Sequence, residues 1–445
     1  MARARGSLNP NCVANAVTTT ATPQRTAPQL DAFIRRSHIA YFSMEIAVRA
    51  EMHTYAGGLG VLAGDTLRSS ADLELPMIFV TLASRAGYFR QEIDSLGHQV
   101  EAPDSWNPET WCVSLDARVA VRMDGRDVWI RPWLYVHTSP VGHSLPVLLL
   151  DSDLEQNRAE DRRLTDCLYG GDDRYRLKQE IILGIGGARL LRVLGFDPHT
   201  YHLNEGHSAL LTLDLLKASQ TAPSDQVGEK SRYNANAVRD RCVFTTHTPV
   251  DAGHDRFDYD MFVQVLPAFI DLDELKRHAG QDQLNLTRLA LNLSGYVNGV
   301  ASRHAQTTSA MFPGYRIHAV GNGVHAQTWA NPAFAALYDA HMPRWRHEPE
   351  MLVRSLDLPT DDVWRCHQAG KSDLIRHVAA STGVELDPER HADALYDKLE
   401  RTILPLWYRE PERWRIMMKE SIGRIASEFN SHRMMRRYAA EAYLR

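Results

Sequence analysis

Ile39-Ala40-Tyr41-Phe42-Ser43 and, a short way on, Tyr55-Ala56-Gly57-Gly58-Leu59-Gly60-Val61-Leu62-Ala63-Gly64-Asp65 are the stretches that decide the fold. The first is an apolar run of strand length without alternation, as expected of a strand covered on both faces. The second is a glycine loop that opens into a helix over residues 65–72. A strand passing through glycines into a helix is the repeating unit of a parallel α/β sheet.

The same rhythm continues outward. Further strands are expected over 77–82, 201–203, 242–245 and 317–320, with helical spacing over 175–194, 208–218 and 284–312. Residues 111–150, with Val119-Ala120-Val121-Arg122 and Val128-Trp129-Ile130, read as an antiparallel hairpin insertion. After Pro332 the chain turns helical and charged, through Trp345, Trp364, Leu399 and Trp414, and has no second strand-rich half. The expected organisation is therefore a disordered start (1–30), one α/β lobe (31–345) and a helical C-terminal segment (346–445).

Composition excludes several classes. With 44% hydrophobic and 24% charged residues in 445, the chain can bury a substantial core. A formal net charge of -5 provides no field to attract nucleic acid or a membrane surface, and no apolar run is long enough to span one. The five cysteines are scattered, which argues against a disulfide framework or a thiolate zinc site. Without a signal-like N-terminus, a cytoplasmic location is expected.

Four places could carry chemistry. In the glycine loop, the amides of Gly57, Gly58 and Leu59 could approach an anion or a sugar at a helix N-terminus, although a tight turn without ligand uses the same residues. His202-Leu203-Asn204-Glu205-Gly206-His207-Ser208 ends a strand, so Asn204, Glu205 and His207 could face a polar substrate or merely form a capping turn. His247, at the end of the next strand, could donate to a sugar hydroxyl or be a satisfied structural group. Asp172 and Asp173 lie on a loop before a helix, where acids also serve as helix starts. Gly184-Ile185-Gly186-Gly187 lies inside a helical stretch and reads as close helix packing. The histidine spacing does not match a His-Glu-x-x-His zinc site.

In order, these segments resemble the shorter bacterial α-glucan (glycogen, starch and maltodextrin) phosphorylases. The resemblance rests on Ala40-Tyr41-Phe42-Ser43-Met44-Glu45, the glycine loop, Gly87-Tyr88-Phe89-Arg90-Gln91 and the run from Leu168 to Glu180. It continues through Asn204-Glu205-Gly206-His207-Ser208-Ala209, Thr245-Thr246-His247-Thr248-Pro249, Val297-Asn298-Gly299-Val300 and Gly321-Asn322-Gly323-Val324-His325. It implies the Rossmann-like N-terminal lobe of a two-lobed glycosyltransferase fold and phosphorolysis of α-1,4-glucan to glucose 1-phosphate. It also implies sugar or phosphate contacts from the amides of Gly57 and Gly58, glucose binding by His247, and a gating loop holding Asp172 and Asp173. Ser84 and Ala86 depart from the tyrosine and glutamine of the family.

The main departure lies at Asp387-Pro388-Glu389, where the family continues into a lobe whose lysine holds pyridoxal phosphate. Here the chain passes to Ala392-Asp393-Ala394-Leu395-Tyr396, and none of its seven lysines lies in a glycine-rich loop. The resemblance thus implies a glucan partner, with phosphate, but a chain that does not bind the cofactor and is inactive or impaired alone. A homo-oligomer or a complementing lobe would be its protein partner. The alternatives are a non-catalytic glucan-binding pseudoenzyme and, lower still, a nucleotide-sugar transferase, which would want a lysine where Tyr55-Ala56 stand.

Overall fold

Strands that read as continuous apolar runs are covered on both faces, and β1 (Ile39–Ser43) and β2 (Met77–Leu82) are buried at every position. The computed structural model describes residues 28–94, 96, 98–220, 233–382 and 399–444. In it β1 and β2 pair in parallel, Ile39 opposite Met77. Two short pieces, β3 (Phe89–Ile93) and β4 (Gln99–Pro103), form a separate exposed hairpin. The chain continues through β5 (Val113–Ser114), β6 (Val119–Met123), β7 (Arg126–Thr138), β8 (Ser144–Asp151), β9 (Thr200–Asn204) and β10 (Cys242–Thr246). A small ribbon of β11 (Arg256–Phe257) and β12 (Leu284–Asn285) precedes β13 (Tyr296–Gly299) and β14 (His318–Ala319).

The main sheet has the order β14-β13-β10-β9-β1-β2-β8-β7-β5, with β6 paired to β7. From β14 to β8 every neighbouring pair is parallel, whereas β7 runs antiparallel to β8. The chain leaves β1 toward β2 and β8, then resumes on the other side of β1 at β9. In open α/β sheets such a reversal marks the place, beyond the carboxyl ends of the two strands and here of β1 and β9, where a ligand crevice is expected.

Two apolar layers cover the sheet. On one face, Phe42, Val80 and Leu203 pack with the helices Asp173–Ile181, Gly187–Val193 and Leu211–Ala218. On the other, Tyr41, Phe79 and Val243 pack with Leu67 and Ala71 of the helix Gly58–Asp72 and with Met434, Met435 and Tyr438 of the helix Ser431–Tyr438. A third cluster, with Trp345 fully buried among Tyr338, Met342, Leu352 and Val363, belongs to the helical region after Pro332.

The structure corrects several expectations. The helix expected over 65–72 begins at Gly58, because Gly60 and Gly64 let its first turns lie against the loop after β1: a Cβ on Gly64 would stand 2.3 Å from the Ala47 carbonyl oxygen. The stretch 284–312 is not one helix. It breaks at Leu293 and Gly295 into the helix Leu286–Asn292, strand β13 and the helix Ser302–Met311, since β10 offers a free edge that Tyr296–Gly299 satisfies with ladder hydrogen bonds. The antiparallel pairing read over 111–150 is present in β6, β7 and β8, and β8 also pairs in parallel with β2, which joins it to the sheet. The glycines at 184–187 do mark close packing: a Cβ would stand 2.6 Å from Leu211 N at Gly184 and 2.7 Å from Phe42 Cε1 at Gly187. Residues 1–27 and the Asp387-Pro388-Glu389 and Ala392–Tyr396 stretches lie outside the described residues.

Candidate functional site

Glu45, just beyond β1, anchors the glycine turn. Its buried carboxylate accepts the amides of Ala56 and Gly57 at 2.7 and 3.1 Å through Oε2, and the Tyr169 hydroxyl at 2.8 Å through Oε1. Gly60 is required by the same approach, since a Cβ there would stand 2.7 Å from Glu45 Oε2. Gly57 is the N-cap of Gly58–Asp72, so with its own N–H given to Glu45, Gly58 and Leu59 carry the first helical amides. A Cβ built on Gly57 or Gly58 meets nothing within 4 Å. The turn therefore presents backbone to open space at a helix N-terminus, where orphan N–H groups suit an oxygen ligand.

Across the crevice, the end of β9 carries Asn204 and Glu205. Asn204 Nδ2 donates to Ser43 Oγ at 3.0 Å, which ties the ends of β9 and β1 together. With the amide in that orientation, Asn204 Oδ1 lies 2.8 Å from His247 Nε2 and accepts a hydrogen bond from its N–H. In this tautomer His247 Nδ1 is left as an acceptor. Glu205 has φ 70° and ψ 171°, a region almost confined to glycine, so the turn after β9 holds backbone strain. Its carboxylate accepts the His247 amide and the Thr246 hydroxyl. Burial among these groups pushes it up to about 7.

His207 is buried beside the Tyr169 ring, with Nε2 3.4 Å from Asp255 Oδ2 and Nδ1 without a hydrogen-bond partner. Burial lowers it to about 4 and lowers His202 and His247 to about 3, so all three imidazoles are neutral near pH 7. Arg176 lies over the Tyr169 ring and bonds Asp255 at 2.9 Å and Glu180 at 3.0 Å. The crevice wall is thus held from behind by ion pairs and lined in front by neutral polar groups.

The structure brings Gly57, Gly58, Leu59, Asn204, Glu205, His207 and His247 to the ends of neighbouring strands. Asp172 and Asp173 stand apart from these contacts, both exposed: Asp172 caps the helix Asp173–Ile181 by accepting the Tyr175 amide at 2.9 Å. Glu45 and Tyr169 are the residues that site reasoning from sequence missed. Their only signal is position, one following a strand and one opening a glycine turn.

Four of the five described lysines are engaged by other groups. Lys178 pairs with Asp124 at 2.5 Å, and Lys217, Lys276 and Lys371 lie over Phe269, Tyr259 and Trp407. Lys419 sits in the helix Pro411–Glu420. No helix among the described residues is long and apolar enough to cross a membrane.

No family model matches the chain. It is 34% identical to a maltodextrin phosphorylase of Thermococcus litoralis over 361 residues, covering 76% of this chain and 42% of that protein. It is 35% identical to a glycogen phosphorylase of Mycobacterium tuberculosis over 374 residues, covering 76% and 41%. A glycogen phosphorylase of Aquifex aeolicus is 29% identical over 374 residues, with 76% and 52% covered. This chain thus spans about two fifths of the first two relatives. With an α/β sheet whose switch point gathers the glycine turn, Asn204 and His247, the chain belongs to the α-glucan phosphorylase family.

Proposed function

We propose that the crevice between β1 and β9 binds the terminal glucosyl unit of an α-1,4-glucan, and that this chain binds glucan without completing phosphorolysis alone. The observation that carries the reading is the open glycine turn at Gly57 and Gly58, held rigid by Glu45 and set at the sheet's switch point. Helical amides supply donors there, and His247 Nδ1 supplies an acceptor. Neutral imidazoles suit an uncharged sugar, because hydroxyl recognition needs paired donors and acceptors rather than net charge.

In the family, pyridoxal phosphate on a lysine supplies the acid–base phosphate of the reaction. The residues described here do not fit that group, since the five described lysines are engaged or lie on helices away from the crevice. Loss of a positioned acid or base removes on the order of 10²- to 10⁴-fold in rate, so binding without turnover is the expected behaviour. Calorimetric titration with maltoheptaose tests the first half, and glucose 1-phosphate release in phosphate buffer, with and without pyridoxal phosphate, tests the second. Heat without release supports the reading. Sustained release by the chain alone, or no heat at any glucan length, overturns it.

A further inference from the structure

We propose that Asp72, His325 and His432 form a site for a borderline divalent cation of the Zn²⁺ class, which pins three distant segments of the chain together. Asp72 ends the helix Gly58–Asp72, His325 follows β14, and His432 lies in the first turn of the helix Ser431–Tyr438. Asp72 Oδ2 stands 2.7 Å from His325 Nε2 and 3.2 Å from His432 Nε2, and one ligand atom from each residue falls within 4.8 Å of the others. All three residues are buried, with His432 only 1% exposed.

The far side of each imidazole prepares it for metal. His325 Nδ1 lies 2.7 Å from Thr328 Oγ1, and His432 Nδ1 lies 3.1 Å from Ser69 Oγ. An Nδ1–H donated to a hydroxyl leaves Nε2 as a lone pair, the tautomer that ligates. His432 Nε2 is in fact buried without a hydrogen-bond partner, although it faces the Asp72 carboxylate. In the metal-free protein His325 Nε2–H bonds Asp72 Oδ2 at 2.7 Å, so a cation entering here takes the place of that proton and leaves two nitrogen lone pairs and a carboxylate oxygen converging on it out of water. The two rings stack at 14° with centroids 5.7 Å apart, so both ligating edges reach the same oxygen.

The donor set selects the cation. Two imidazoles and one carboxylate suit Zn²⁺ and its first-row neighbours, whereas Mg²⁺ and Ca²⁺ want oxygen shells. Bonds of about 2.0–2.2 Å in a tetrahedron separate ligand atoms by roughly 3.4 Å, so the His432 spacing of 3.2 Å nearly fits and the His325 spacing of 2.7 Å opens by about 0.7 Å when the metal enters. Gln327 Nε2 donates to Asp72 Oδ2 at 3.2 Å while its Oε1 accepts from Arg346, so it orients the carboxylate and the fourth position of the cation falls to a water. Ser139 holds the other carboxylate oxygen. Such a buried site is structural: it fastens the C-terminal helix to the helix that starts at the glycine turn. The inference does not depend on the glucan reading.

The full chain, stripped with chelator and desalted, is reloaded with Co²⁺ or Zn²⁺. About one equivalent should be retained per chain, with the intense visible bands of tetrahedral Co²⁺ and a melting temperature raised by Zn²⁺ but not by Mg²⁺. His432→Asn should abolish the Co²⁺ bands and lower retained metal roughly tenfold or more. X-ray absorption on Zn²⁺-loaded wild-type protein provides a readout that needs no variant, with a shell of two imidazoles and oxygen expected. Failure of the wild-type chain to retain either metal overturns the proposal, as does undiminished retention in folded His432→Asn. A shell containing sulfur or a single imidazole overturns it too.

Discussion

Glu205 and Asp72 are both buried carboxylates at the ends of core elements, yet their surroundings treat charge in opposite ways. Glu205, in the crevice, accepts a backbone amide and a hydroxyl but meets no cation, and burial raises it to about 7. Burial also pushes Asp72 up, but the neighbouring His325, His432 and Ser139 side chains outweigh it and hold the carboxyl well below its ordinary range. The difference shows that neighbours, not depth, set the charge of a buried acid. One cluster is kept close to neutral beside an open turn, as suits a sugar. The other concentrates charge where the C-terminal helix docks.

The harshest way to break this contrast is Asp72→Ala, which leaves His325, His432, Ser139 and Gln327 around a hole. Removing one member of a buried charged network costs about 3–5 kcal/mol, so denaturant unfolding should show a loss of that order, and proteolysis should release the Ser431–Tyr438 helix early.

Next comes the pH dependence of the crevice. His202, His207 and His247 titrate at about 3, 4 and 3 when folded and near 6.5 unfolded, so the unfolded chain binds more protons between those values. Their stabilisation is complete above pH 6.5 and is lost as pH falls toward 4. Glu205 has the opposite sign: its folded value of about 7 exceeds its unfolded value of about 4.3, so its contribution is present below that value and lost as pH rises through 7. Urea midpoints measured from pH 4 to 8 should therefore flatten on the acid side in His207→Gln and on the alkaline side in Glu205→Gln.

Gly60→Ala should cost about 1–3 kcal/mol by driving a methyl into Tyr55 and Glu45. Gly58→Ala meets open space, should leave thermal melting within about 1 kcal/mol of wild type, and should weaken maltoheptaose binding in calorimetry if the turn faces the sugar. Tyr169→Phe removes a hydrogen bond to the Glu45 carboxylate, worth about 1.5 kcal/mol. The smallest effect belongs to the acid pair. Asp172→Ala should cost about 1 kcal/mol as a lost N-cap, and exposed Asp173→Ala should stay within about 0.5 kcal/mol.

Much of this molecule was legible from residue order. Unbroken apolar runs such as Ile39–Ser43 and Met77–Leu82 announce strands covered on both faces, and polar residues after them mark the carboxyl ends where a site can form. The placement of Asn204, Glu205, His207 and His247 at strand ends follows from that pattern alone. Local periodicity, however, does not show which edge a strand will join. Leu284 to Phe312 therefore reads as helix until β10 recruits Tyr296–Gly299 into the sheet.

Only the tertiary structure decided what the site residues touch. Glu45 meets Tyr169 across 124 positions, and Asp72 meets His432 across a still longer separation, and nothing in the spacing of either pair records the encounter. The sequence by itself determined the α/β class, because the pattern of apolar residues that solvent drives inward, unbroken in a buried strand and one-sided in a helix, is set over a few residues. Protonation, strain and the closing of the Asp72 cluster depend on which polar atoms are left together when water is gone, and that is settled only when distant segments pack.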